Sequence, residues 1–172
     1  MAYLKIVALG LAAAIGYGIV HDQVTARVCV EYFTVGHPRI IASESPTILG
    51  LVWGVVATWW VGLPLGIALA FAARGGGWPA LDVSDLRAGV FILLGAMALC
   101  AAMAGFLGHE LAVAGQVGFP SEWAAGVAPS KRAAFIGDWW AHSASYDVGI
   151  LGGMVLCAVT FWRRWRRSRR AA

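Results

Sequence analysis

Four apolar stretches of about twenty residues, separated by polar segments, decide what this chain can become. At 1.5 Å of rise per residue, a helix of that length crosses about 30 Å of hydrocarbon. The first runs from about Leu4 to Val24, the second from Pro46 to Ala73 and the third from Leu86 to Gly108. The fourth has a purely apolar core from Val148 to Trp162 and extends back to about Trp139. Of 172 residues, 60% are hydrophobic and 13% charged, with a mean hydropathy of +0.73. Soluble domains carry roughly 25% charged residues. The expected fold is an all-α integral membrane protein: a four-transmembrane-helix bundle forming a single membrane domain over residues 1–172. Segments 25–45 and 109–138 connect the spans on one side.

Charge gives the bundle a direction. With the C-terminus in the cytoplasm, Lys5, Arg74, Arg87, Arg163, Arg164, Arg166, Arg167, Arg169 and Arg170 are internal, nine of the thirteen basic residues. Only Asp82 and Asp85, of nine acidic residues, join them. The split obeys the positive-inside rule and predicts an N-in/C-in protein of the cell's inner membrane. Ala12-Ala13-Ala14 offers a weak signal-peptide cleavage site, but the single Lys5 and the apolar run to Val20 favour a retained first span.

The net charge of +4 resembles a nucleic-acid signal until it is located. Six arginines of the tail supply most of it directly after an apolar run, so the expectation is a topology anchor touching acidic lipid head groups, with no nucleic-acid partner. The three cysteines show no CxxC or paired spacing. GxxxG spacings at Gly50/Gly54, Gly62/Gly66 and Gly149/Gly153 permit close helix approach, within one bundle or in a homo-oligomer.

Chemistry-bearing residues collect at one end of the spans. His21, His109 and His142 fall near one level at the outer hydrocarbon edge, with Asp22, Glu110 and Asp147 beside them. Polar and ionisable groups at that depth cost stability unless they are partnered. The first helix is expected to continue to about Val35, which would set Glu31 four residues from Arg27. Glu31 is then either the partner of that surface ion pair or a ligand. His37, in the turn Gly36-His37-Pro38, either folds back over the site or faces water, and solvent is the favoured reading. Asp138 stands one turn before His142 and either orients its imidazole or caps the helix start. Asp147 lies deeper, followed only by apolar residues, and should need a partner.

Histidines and carboxylates on neighbouring helices suit zinc, iron, manganese or copper. The metal candidates are His21, Asp22, His109 and His142, with His37 and Glu31 as further donors, and Glu110 and Asp147 as general base or additional ligand. Haem between two facing histidines ranks lower, because carboxylates are so abundant in this layer. His109-Glu110 is not HExxH, since residue 113 is valine. The midplane carries no charge, which disfavours a permeation route. The leading expectation is a membrane metalloprotein with an extracytoplasmic site, whether or not it is an enzyme. A non-enzymatic scaffold or regulatory subunit and an oligomeric ion or proton transporter are the alternatives.

Overall fold

The computed structural model describes residues 1–171 and is all-helical in them. Helix α1 spans Ala2–Val28, followed by the single turn and a half of α2, Val30–Thr34. The second hydrophobic segment is split into α3, Pro46–Val56, and α4, Trp59–Arg74. Helix α5 spans Val83–Val113 and α6 spans Arg132–Ala171. Taken as one unit, Pro46–Arg74 joins α1, α5 and α6 as four helical segments long and apolar enough to cross a membrane.

Glycine sets how the helices meet. An added Cβ on Gly10 would stand 3.1 Å from the Gly66 nitrogen, and one on Gly50 would stand 2.9 Å from the Asp22 carbonyl carbon. Low residue numbers in α1 therefore face high numbers in α3–α4, an antiparallel pair with its backbones nearly touching. Gly54 sits against Gly18 and Ile19, and Gly62 against Ala14. The first two GxxxG spacings are thus consumed inside the chain. Gly149 and Gly153 receive Met97 and Leu65 side chains in the same way. Helices α5 and α6 are also antiparallel, with Gly105 beside Gly137 and Ala141, and Gly89 beside Leu156. Close backbone approach is the general means of holding helices together where lipid offers no hydrophobic drive.

Local chemistry explains the interruptions. Ser45 stands at the N-cap of α3 with Pro46 at the first helical position, but its side chain makes no capping bond. Between α3 and α4 the Ala57 carbonyl leaves the helical ladder and accepts the Tyr146 hydroxyl at 2.7 Å. Pro64 lies inside α4 without ending it. Cys29 separates α1 from α2 in an extended conformation, φ −146° and ψ 97°. The continuous first helix to Val35 is corrected accordingly, and with it the Arg27–Glu31 pair. Arg27 instead binds the Gln23 side chain at 2.8 Å and the Thr47 hydroxyl at 2.8 Å.

The end of the bundle remote from the histidines is fastened by a buried cation. Arg164 is fully buried. It donates to the carbonyls of Pro79 (2.9 Å), Ala72 (2.9 Å) and Trp78 (3.0 Å). Its planar fork ties the end of α4, at Ala72, to the loop carbonyls of Trp78 and Pro79 at once. Beyond it, Arg166 stacks over Trp162 and Arg169 over Trp165, at 4.7 and 5.3 Å from the ring centroids.

Candidate metal centre

His142 lies 22 residues from Arg164 along α6, about 33 Å at the helical rise and so roughly one hydrocarbon thickness away. Around it, α1 contributes His21 and Asp22. The close approach of α1 to α3 at Gly50 is what presses Asp22 inward, where it is buried with His142. One donor atom from each of His21, Asp22 and His142 lies within 4.8 Å of the others.

The hydrogen bonds fix the chemistry. His142 Nδ1 is 2.7 Å from the main-chain oxygen of Asp138, which can only accept, so Nδ1 carries a proton and donates. Its Nε2 is 3.2 Å from Asp22 Oδ1. With the imidazole neutral, Nε2 would present a lone pair to a carboxylate oxygen, and like donors of electron pairs do not attract. A positive centre resolves the contact: a proton shared by Asp22 and His142, or a metal ion bound to both. His21 Nε2 adds a third nitrogen, buried and without a hydrogen-bond partner among the described residues. The two imidazoles meet edge to face, with ring centroids 4.5 Å apart.

Two nitrogens and a carboxylate oxygen fit a divalent transition metal. Bonds of about 2.0–2.1 Å in tetrahedral geometry put ligand atoms about 3.3 Å apart. The His142–Asp22 separation already matches, and a His21 ring nitrogen lies within 4.8 Å of both. The same contact argues against haem on His21 and His142, because touching rings leave no room for a planar macrocycle between them. The second polar layer comes from side chains one turn away. Tyr17 stacks on His21 and its hydroxyl pairs with Ser145 Oγ at 2.8 Å. Tyr17, Ser145 and Tyr146 line a small cavity of about 60 Å³ beside His21, Asp22 and His142.

Aromatic rings roof this arrangement. Tyr32 packs on His142 at 4.5 Å between centroids and Phe33 at 5.7 Å. His37 is folded back rather than exposed: its Nδ1 donates to the Tyr32 carbonyl at 2.8 Å, and its ring packs on Tyr32, Phe33 and Trp53. Burial lowers the His37 pKa and raises that of the Tyr32 hydroxyl. The favoured solvent reading of His37 is corrected, since the extended residue at Cys29 turns the chain back over the bundle end.

Other expected donors stand apart from the trio. His109 Nδ1 is 3.0 Å from Glu110 Oε1, and both side chains are about half exposed. Gly105, not His109, faces Ala141, so His109 rides level with Gly137, more than a turn beyond His142. Glu31 accepts the Cys29 thiol at 3.4 Å, and burial pushes that thiol's pKa up to about 12, which keeps it protonated. Asp147 was expected to need a partner; it is exposed and makes no hydrogen bond or ion pair among the described residues. Position 147 falls on the outward stripe of α6 with Ser143 and Leu151, four residues to either side.

The Asp138 carboxylate is the group that sequence reasoning undervalued. Its backbone, not its side chain, orients His142. Its Oδ2 is buried without a partner. Comparison with protein-family models, with characterised proteins and with solved structures gives no match.

Proposed function

We propose that this chain is a small membrane metalloprotein whose centre is His21, Asp22 and His142, at the extracytoplasmic boundary of the inner membrane. The observation that carries this is the convergence of three electron-pair donors, two of them facing each other at 3.2 Å and the third unpartnered. Three protein donors are the number that catalytic zinc sites use, leaving a fourth position for water or substrate. A two-histidine, one-carboxylate set also suits non-haem iron. Such an ion lowers the pKa of bound water or takes up dioxygen.

The residues supply the rest. The Asp138 carbonyl holds the His142 tautomer that presents Nε2, as outer partners of metal-bound histidines do. Tyr32, Phe33 and His37 shield the site from one side. In this reading the arginine tail lies in the cytoplasm against acidic head groups. The two glycine pairs of α3 and α4 face α1, which weakens a scaffold role built on them.

Elemental analysis of protein purified without chelators tests the proposal. About one transition metal ion per chain is expected, lost in His21→Ala, Asp22→Ala and His142→Ala and kept in His109→Ala and Glu110→Gln. Cobalt loading should give the visible absorption of a low-coordinate site. Metal-free protein that takes up no cobalt, or trio variants that keep their metal, would overturn it.

A further inference from the structure

Helix α1 leans on α3 and α4 while α5 leans on α6, so α1 and α5 meet sparsely and a cleft of about 490 Å³ opens between them. That size lies within the roughly 300–1,000 Å³ of small-molecule sites. One wall is the stripe Val20, Val24 and Val28. The other, Ala98, Ala102 and Gly105, is too short-chained to fill the space. From Tyr17 to Val28 the cleft follows α1 for eleven residues, about 16 Å, so its inner part reaches into the leaflet and its outer end lies at the boundary.

The cleft is apolar except where His21, Thr25, His109 and Asp138 reach it. Two side-chain atoms of these residues are buried without hydrogen-bond partners, His21 Nε2 and Asp138 Oδ2. Asp138 is only 3% exposed. A buried carboxyl oxygen left unpaired costs free energy that a ligand donor would recover. His21 also belongs to the metal trio, so whatever lies in the cleft ends against that centre.

We infer that this cleft seats the chain of a single-chain amphiphile whose hydroxyl or amine head donates to Asp138 beside His21. The inference rests on the metal-centre reading only in making this ligand the substrate; the seat itself stands on the cleft and its orphaned acceptor. An alkyl chain enters sideways from the leaflet between α1 and α5, past Val20, Val24 and Phe106, all exposed. The head then lies at the level of the trio.

The test uses the full chain in lipid vesicles with a diazirine-bearing hexadecanol and its methyl ether as probes. Photolabel from the alcohol should map to segments 17–24 and 98–106 and exceed that from the ether about fivefold, the worth of one ordinary hydrogen bond. Ala102→Trp, at an exposed position, should abolish it. Asp138→Leu removes the acceptor while the main-chain carbonyl that holds His142 stays, and it should erase the preference while keeping the labelled segments. Label spread around the bundle, or unchanged in Ala102→Trp, overturns the chain seat. A preference kept by Asp138→Leu overturns the head-group assignment. Metal content measured on the same samples separates the two readings: cleft labelling in a metal-free protein keeps the seat and sinks the metal centre, and a metal-loaded protein without cleft labelling does the reverse.

Discussion

His142 joins α6 to α1 through Asp22 at 3.2 Å while its other ring nitrogen is held by the Asp138 carbonyl of its own helix. Both side chains are nearly inaccessible, at 10% and 6%. Removing one member of a buried charged pair leaves the other uncompensated and costs about 3–5 kcal/mol, whereas replacing both is far milder. In metal-free protein, His142→Leu and Asp22→Leu should each destabilise by about that much, and the double variant by clearly less than the sum. Unfolding in detergent measures all four corners of the cycle. Additive losses would show that the two residues do not form a pair.

The site depends on how closely α1 approaches α3. A Cβ at Gly54 would come 2.5 Å from the Ile19 Cα, backbone that cannot yield. Gly54→Val should therefore cost at least the roughly 1–3 kcal/mol of overpacking and lower metal occupancy with it. Gly16, whose added Cβ meets nothing within 4 Å, is the control. Gly16→Ala should be neutral or stabilise by up to about 1 kcal/mol through helix propensity. Equal thermal shifts for the two variants would refute the close-approach account.

Much of this was legible from residue spacing because hydropathy and chain length alone dictate helices in lipid. Four apolar stretches gave four long helical segments, the second of them split after Val56, with starts two to seven residues early at Ala2, Val83 and Arg132. His21, Asp22 and His142 were singled out by depth, and depth is what brought them together. Rotation about the helix axis was not legible. It turns Asp147 outward and depends on which glycines face which neighbours, while the packing of Gly105 on Gly137 and Ala141 sets His109 more than a turn from the level that residue counting gave it. The extended residue at Cys29 has no marker in the sequence, so the roof of Tyr32, Phe33 and His37 could not be foreseen. The buried role of Arg164 was hidden among five neighbouring arginines of identical type.

That arginine makes a prediction of its own. Its three donors satisfy one α4 carbonyl, at Ala72, and two loop carbonyls, at Trp78 and Pro79, at 2.9–3.0 Å. An ammonium is a compact charge that cannot span all three, and each buried carbonyl left unpaired costs about 1–3 kcal/mol. Arg164→Lys should thus lose about 2–4 kcal/mol in thermal unfolding. Arg170→Lys, on the exposed face, should stay within about 0.5 kcal/mol of the parent. A silent Arg164→Lys would mean that the loop is held by something else.

His37 reports whether the roof is closed. Its ring is packed among Tyr32, Phe33 and Trp53, and burial lowers its pKa from the ordinary value of about 6.5. The closed form therefore binds its proton less readily than the open form does. Closure is fully favourable above about pH 6.5 and weakens as pH falls below it, because protonation draws His37 out to water. Nuclear magnetic resonance of the labelled imidazole in micelles should give a midpoint below that of a histidine in the unfolded chain. His37→Phe keeps the packing without the titration, and should hold the roof closed through the same acid range. A midpoint at or above about 6.5 would mean that the ring spends its time in solvent and the roof is open.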